Sequence, residues 1–339
     1  MKSVTILTPC YNEEANVELL YARVRKIMAD VGRYNYEHLF IDNASTDSTV
    51  AILRRLAAAD PNVKVIVNTR NFGHITSPMH ALSQARGDAV IGVVADFQDP
   101  PELIPQLLAG WEEGYAMVLC IKRSSAENPV MFAARKAYYR IISRLAAMET
   151  FENFTGYGLF DRKVVDHVIA LGDPLPYFRG MIAEIGFPHK AIPYDQPVRL
   201  RGKTKNNFFT LFDLALVGLI NHSKVPLRLM TIAGFVGAAV SFLVGLAFLI
   251  YKILFWSHFQ VGVAPLVIGL FFGFSMQLLF MGMLGEYVGA IHTQLQKRPW
   301  AIERERLNFE HEPGPPGPGL KQFLSASGQV RGRGGGFSD

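Results

Sequence analysis

Cysteine is scarce in this 339-residue chain: only Cys10 and Cys120 occur, and they need not pair. The histidines, His74, His80 and His222 among them, stand apart at spacings that suit no standard zinc site and read as polar residues of loops and helices. Charge is missing from two long runs, residues 229–251 and 259–285. Each exceeds the roughly 20 residues that cross a bilayer core, and buried helices of soluble proteins rarely go so long without charge. There is no internal repeat. No cleavable signal peptide is expected, since MKSVTILTPCYNEE turns polar after a handful of apolar residues. The net charge of +5 suits contact with anionic lipid and is too small to argue for nucleic acid as a partner.

The short stretch KILFWSHFQVGVAP joins the two runs, which predicts a hairpin with both flanks on one side. Lys203, Lys205, Lys224 and Arg228 precede it; Lys297, Arg298, Arg304 and Arg306 follow it. Such an excess of basic residues marks the cytoplasmic side. The expectation is a multi-pass protein of the cytoplasmic (inner) membrane, with spans at about 229–252 and 261–286 inside a 225–295 segment, and with head and both termini in the cytoplasm. Lys252 falls near the outer end of its span, where it can snorkel to the headgroups, and the cysteines face a reducing compartment. Glycines of the second run allow close helix contact and point to a homo-oligomer, a tetramer among the options.

Residues 1 to about 122 alternate in type. SVTILTP, YEHLFIDN, VKVIVNT and DAVIGVVAD read as strands, and EEANVELLYARVRKIMADV, STVAILRRLAAAD and ITSPMHALSQAR as helices. Strands separated by single helices predict an α/β fold, a mostly parallel sheet with helices on both faces. Ligands of such sheets collect at the carboxyl ends of the strands. There the polar loops PCYNEE, DNASTDST, NTRNFG and ADFQD converge. Residues 123–205 are less regular, with ENPVMFAARKAYYRIISRLA the clearest helix, and the head is taken to be 1–205. Residues 206–224 read as an amphipathic helix in the headgroup plane, with a third core helix of the head as the alternative. Residues 296–339 are expected as a cytoplasmic tail, disordered from about 311, where proline and glycine dominate.

The stretch VVADFQDPPE, residues 93–102, sets Asp96, Gln98 and Asp99 before a Pro-Pro pair that must end a strand. Three readings stand: a metal site, a helix start, or a metal site short of one ligand. An acidic loop among polar strand ends suits a nucleotide diphosphate with Mg²⁺ or Mn²⁺, which takes one or two carboxylates besides phosphate oxygens. Asp96 and Gln98 stand two apart, so extended backbone would point them the same way.

TPCYNEE, IDNASTDST, RNFG, ARGDAVIGVVADFQDPPELIP and RLRGKTK, in this order and followed by two apolar runs, resemble the polyprenyl-phosphate glycosyltransferases. These are family 2 enzymes of the Rossmann-like GT-A fold, similar to dolichol-phosphate-mannose synthase and the bactoprenol glucosyltransferases. The likeness spans about residues 3–300. It implies transfer of one sugar, with inversion, from a nucleotide-diphosphate sugar to a polyprenyl (undecaprenyl) phosphate at the cytoplasmic leaflet. By the same resemblance Pro9, Tyr11 and Glu13 line the nucleoside pocket, and Asp42 accepts a hydrogen bond from the base, as expected for uracil and a UDP-sugar. Asp96 and Gln98 hold a divalent cation and the diphosphate, Arg123 and Arg135 receive the lipid phosphate, and Arg199 and Lys205 close over the diphosphate. Arginine and lysine supply the charge and the forked geometry that such anions require.

The departures are specific. Val94 stands at the first acid of the usual Asp-x-Asp, which makes this a metal site with one ligand fewer. TGYGL, residues 155–159, puts Gly156 and Gly158 where the bactoprenol branch has an acid and an arginine, and Asn43 replaces an acid commonly paired with Asp42. Asp161 reads as the cap of the helix RKVVDHVIAL. These changes leave the sugar open. Transfer to another lipid, such as diacylglycerol, is the nearest alternative, opposed by Arg123 and Arg135 because a neutral hydroxyl would need a base. A non-catalytic nucleotide-sugar-binding scaffold is the alternative outside enzymes, opposed by the retention of Asp96, Gln98, Arg199 and Lys205.

Overall fold

The computed structural model describes residues 1–123, 151, 153–174, 176–197, 225–255, 263–296 and 298–309. They fall into two compact units: a head, made of the described residues up to 197 and those from 296 on, and a second unit between 225 and 295.

The head is an eight-stranded sheet. Strand β1 (Ser3–Cys10) turns Val4 and Ile6 to one face and Leu7 to the other; β2 (Asn35–Asp42) does the same with Phe40 against Leu39 and Ile41. Apolar residues at both phases of the two-residue period require cover on both faces. The other strands are β3 (Val63–Asn68), β4 (Ala89–Gly92), β5 (Met117–Lys122), β6 (Phe154–Asp161), β7 (His189–Tyr194) and β8 (Glu303–Leu307). Their spatial order is β7-β5-β6-β4-β1-β2-β3-β8. β4, β1, β2 and β3 run parallel, β6 is antiparallel to β4 and β5, and β8 is antiparallel to β3. Helices α1 (Val17–Val31), α2 (Thr49–Ala59) and α4 (Ile104–Glu112) cover one face; α3 (Thr76–Gln84), α5 (Arg162–Leu171) and α6 (Phe178–Ile185) cover the other. The expected mostly parallel α/β sheet is therefore present.

Local chemistry sets the element ends. α1 buries Leu20, Val24 and Met28, one per turn, and stops at Gly32, which at φ 63° returns its N–H to Met28 O at 3.0 Å. It begins at Val17 rather than at the glutamates, because the Glu13 carbonyl takes the N–H groups of Asn16 and Val17 in a turn. β4 is shorter than its apolar run: Val93 N–H still reaches Leu7 O at 2.9 Å, and the chain then turns.

The second unit holds α7 (Val225–Leu254) and α8 (Val263–Leu295). Their stretches Met230–Ala247 and Gly269–Leu295 are long and apolar enough to cross a membrane. Large apolar side chains stand exposed on both, Phe242 at 70% and Phe271 at 66%. Beyond α8 the chain rejoins the head: Trp300 is buried, its indole N–H on Asp173 O at 2.8 Å, and β8 follows as the edge strand. The first part of the segment expected as a tail is thus part of the sheet. The expected interfacial helix at 206–224, the helix after residue 123 and the tail from 311 lie outside the described residues.

Candidate active site

β1 lies between β4 and β2, and the chain leaves it for β2 on one side while β4 closes the other. That reversal opens a crevice at the carboxyl ends of the strands. All four loops singled out in the sequence leave this edge.

Loops one and two are laced together. Asn12, at φ 56°, accepts Thr46 N–H at 2.8 Å and gives its own N–H to Ser45 Oγ at 2.8 Å. Glu13 N–H bonds Thr49 Oγ1 at 2.9 Å, and Ser48 N–H bonds Glu14 Oε2 at 2.9 Å. In register, Pro9 pairs with Ile41 and Cys10 with Asp42. Pro9, Tyr11, Glu13 and Asp42 are therefore neighbours, with Tyr11 at the surface and Pro9 and Glu13 half-buried. Asp42 is fully buried, and both of its oxygens accept from Ser45, the amide at 2.9 Å and the hydroxyl at 2.5 Å. Burial raises its pKa, against those bonds. Its first task is to hold loop two.

Asn43 ties the second loop to the third. Its Nδ2 donates to Asn71 Oδ1 at 2.9 Å and Gly73 O at 3.0 Å, while its Oδ1 accepts Phe72 N–H at 2.9 Å and Asn68 Nδ2 at 3.2 Å. A carboxylate here would face two acceptors without a proton to give, which explains why an amide stands at this position.

The fourth loop is organised differently. Phe97 has φ 61°, so the backbone between Asp96 and Gln98 is not extended and the two side chains do not share a direction by alternation. The expected geometric basis for pairing them does not hold. An Asx-type turn replaces it: Gln98 N–H donates to Asp96 Oδ1 at 3.1 Å. Asp96 is buried, Gln98 half-buried. Asp99, one residue on, is buried as well, accepting the Val94 N–H and the Tyr194 hydroxyl. Burial, with the Asp96 charge adding to it, pushes the Asp99 carboxyl up to about 7. Two desolvated acids on one loop suit a hard cation, and Asp96 with Gln98 supplies oxygen donors that fit Mg²⁺ or Mn²⁺. Among the described residues no group of three or more His, Cys, Asp or Glu is placed to hold a metal, so any ion there would need ligand oxygens as well.

Residues 5–169 match the family described as Glycosyl transferase family 2. The uncharacterized glycosyltransferase YkcC of Bacillus subtilis (strain 168) is 33% identical over 310 residues, covering 91% of this chain and 95% of its own. The chain belongs to this glycosyltransferase family. The SfII prophage-derived bactoprenol glucosyl transferase of Shigella flexneri is 32% identical over 298 residues, 87% of this chain and 96% of that protein. Among solved structures, mannosyl-3-phosphoglycerate synthase from Rubrobacter xylanophilus matches at 17% identity and a TM-score of 0.45, over 68% of this chain and 75% of that one.

In this family 2 glycosyltransferase the two glycines of TGYGL have different causes. Gly156 has φ 105° and open space around a would-be Cβ, whereas a Cβ on Gly158 would lie 2.5 Å from Val118 O. The position of the missing arginine cannot hold any side chain without moving β5 or β6. Asp161 caps α5, accepting Lys163 N–H at 3.1 Å, as expected, and also takes the Trp111 indole N–H at 2.7 Å. Arg123 ends β5: its N–H bonds Tyr194 O at 3.0 Å, and its exposed guanidinium lies 3.9 Å from Asp195. Arg135, Arg199 and Lys205 lie outside the described residues. Sequence reading passed over Asp99 as a buried acid and Asn43 as a hub. Asp99 was visible in the motif, but its burial depends on Tyr194 of β7, 95 positions away, and leaves no local pattern.

Proposed function

We propose that this glycosyltransferase moves one sugar from a nucleoside-diphosphate sugar, UDP-linked, to a polyprenyl phosphate at the cytoplasmic leaflet, inverting the anomeric carbon. The observation that carries the reading is the pair of buried acids, Asp96 and Asp99, on the loop after β4, beside the crevice whose other loops are laced around Asp42. Relatives described as bactoprenol glucosyl transferases support the lipid acceptor. So do α7 and α8, read as spans. The pairing of β3 with β8, which lie before and after the two helices in the chain, supports a hairpin, and the basic residues flanking it support a cytoplasmic head. A homo-oligomer through the glycine-bearing helices completes the proposal.

A phosphate oxygen of the acceptor bonds to the anomeric carbon as the bond from that carbon to the leaving diphosphate breaks, and the electron pair departs with the nucleotide. The acceptor needs little help from a base, since a phosphate monoester with a second pKa near 6 is already largely dianionic at about pH 7. That is compatible with glycine at position 156. Asp96 and Gln98 would hold the divalent cation, which when bound stabilises charge on the diphosphate. Arg199 and Lys205 are assigned to the leaving diphosphate, and Arg123 and Arg135 to the lipid phosphate, by charge and by forked hydrogen bonding. Val94, in place of an acid, gives its amide to Asp99 instead.

The test is nucleotide release by the detergent-purified chain with undecaprenyl phosphate, across UDP- and GDP-sugars, in Mn²⁺, Mg²⁺ or EDTA. Lipid-dependent release from one donor, lost in EDTA, is expected. Donor binding without release from any sugar would turn the reading to a nucleotide-sugar-binding scaffold.

A further inference from the structure

Strand β8 pairs with β3 through an interruption: Val67 pairs with Glu305 and Asn68 with Glu303, which leaves Arg304 as the extra residue of a bulge. Bulges re-aim side chains, and they recur beside functional sites. Here Glu303 meets His80 of α3 at 2.6 Å, while Glu305 meets Arg54 of α2 through three bonds of 3.0, 3.3 and 2.6 Å, so the neighbours of Arg304 are drawn to opposite faces. Arg306 adds to the anchoring, with Nε on Glu303 Oε2 at 2.7 Å and Nη2 on Gln84 Oε1 at 2.9 Å. Burial works to raise the Glu303 carboxyl, but the His80 and Arg306 bonds outweigh it and hold it at about 2. One residue earlier, Ile302 O accepts Thr69 N–H at 2.9 Å, which fixes β8 to the start of the third loop.

Arg304 itself is exposed. Its place follows from the register. Cys10, Asp42, Val67 and Glu305 form one row across the sheet, and residue 304 lies between that row and the row of Asn68, at the carboxyl edge from which the loops emerge. Its charge acts on the Asp42 carboxyl, opposing the rise that burial causes there. The strand order also says what it does not reach. β8 is four strands from β4, about 19 Å at the usual strand spacing, too far for a guanidinium to serve a diphosphate held at Asp96.

We propose that Arg304 is a nucleoside-binding residue, donating from its guanidinium to a carbonyl oxygen of the base bound at the carboxyl ends of β2 and β3. The inference rests on the nucleotide-sugar reading given above. Uracil and guanine both present a carbonyl next to a ring N–H, which an arginine and a carboxylate read together; adenine has no carbonyl to offer. The strand that follows the apolar helices would then add to the recognition of the donor by the loops after β1, β2 and β3.

The test is calorimetric binding of UDP, UMP, GDP and inorganic pyrophosphate to the full chain in detergent, for wild type, Arg304→Ala and Arg304→Lys. For Arg304→Ala, UDP and UMP should weaken by the same factor, about tenfold for one charge-assisted hydrogen bond, while pyrophosphate holds. Donor KM should rise by a similar factor with kcat within about twofold. Arg304→Lys, which keeps the charge and loses the fork, should fall between. Unchanged UDP and UMP affinity overturns the inference alone. Pyrophosphate weakened as much as UDP overturns it as well, by placing the residue at the diphosphate or in the scaffold. A wild-type chain that binds neither UDP nor GDP removes the reading beneath it too.

Discussion

The two ends of the crevice are built by different means. At the end proposed for the nucleoside, the loops after β1, β2 and β3 are cross-linked by bonds from Asn12, Glu14, Ser45, Thr49 and Asn43. At the β4 end, Asp96 and Asp99 share one loop; burial and the Asp96 charge raise the Asp99 carboxyl, against the Lys122 cation and the bonds from Val94 and Tyr194. Buried acids in that position are costly unless a cation joins them. Under the proposed reading the nucleoside end is thus tied down by hydrogen bonds between its loops, while the reacting end gathers buried charge on a single loop. Pre-formed loops hold down the entropy lost on binding, whereas buried charge makes the β4 end sensitive to any ion or anion that binds there.

The largest expected effect tests that contrast directly. Asp96→Asn removes the carboxylate charge and keeps the shape. Lipid-dependent nucleotide release should fall at least about a hundredfold, a loss of roughly 3 kcal/mol in the transition state. UDP affinity measured in EDTA should stay within about threefold, because the nucleoside end is untouched. Turnover surviving within about threefold would remove Asp96 from the chemistry. Next comes the wall of the same end. Gly158→Ala drives a methyl against Val118 O and should lower the thermal unfolding midpoint by the equivalent of about 1–3 kcal/mol. Gly156→Ala meets no atom within 4 Å and carries backbone strain alone, about 1–2 kcal/mol. A larger drop for Gly156→Ala would mean that φ strain, rather than close strand packing, is the stronger demand for glycine in TGYGL.

The parallel half of this picture was legible in the sequence because each strand is an apolar run closed by a polar loop, and that alternation is a local signal. Asp161 was legible as a cap for the same reason. The rest depends on distant partners. β8 reads ERERL, with no apolar alternation, and is held to the sheet by Arg54 and His80, 251 and 223 positions away. β6 contains two glycines and reads as a loop until β5 is set beside it. At Phe97 a left-handed residue breaks the extended geometry that would have turned Asp96 and Gln98 the same way, and phenylalanine gives no warning of that conformation.

A smaller effect belongs to the nucleoside end. Asn43→Ala deletes the four bonds that couple the second and third loops. The loops would keep their own turns and lose their mutual placement, so donor KM should rise about tenfold while kcat stays within about twofold. A fall in kcat at constant KM would place the third loop at the reacting atoms rather than at the nucleoside.

The smallest effect lies under the same loops, where β2 carries a histidine in the core. His38 is fully buried, stacked on Phe40 at 3.9 Å between ring centroids, with Nε2 3.1 Å from Thr8 Oγ1 and Nδ1 without a partner among the described residues. Burial pushes it down to about 3. Between pH 3 and the unfolded value near 6.5, the unfolded chain therefore binds a proton that the folded one refuses, and stability falls as pH drops through that window. The slope for one such group is roughly 1 kcal/mol per pH unit. His38→Gln cannot take up the proton. The gap in unfolding midpoint between wild type and variant should therefore narrow from pH 7.5 to pH 5.5, with both midpoints followed by intrinsic fluorescence. A gap that stays constant would show that His38 takes up its proton in the fold over the same pH range as in the unfolded chain, and that its surroundings are more polar than their packing indicates.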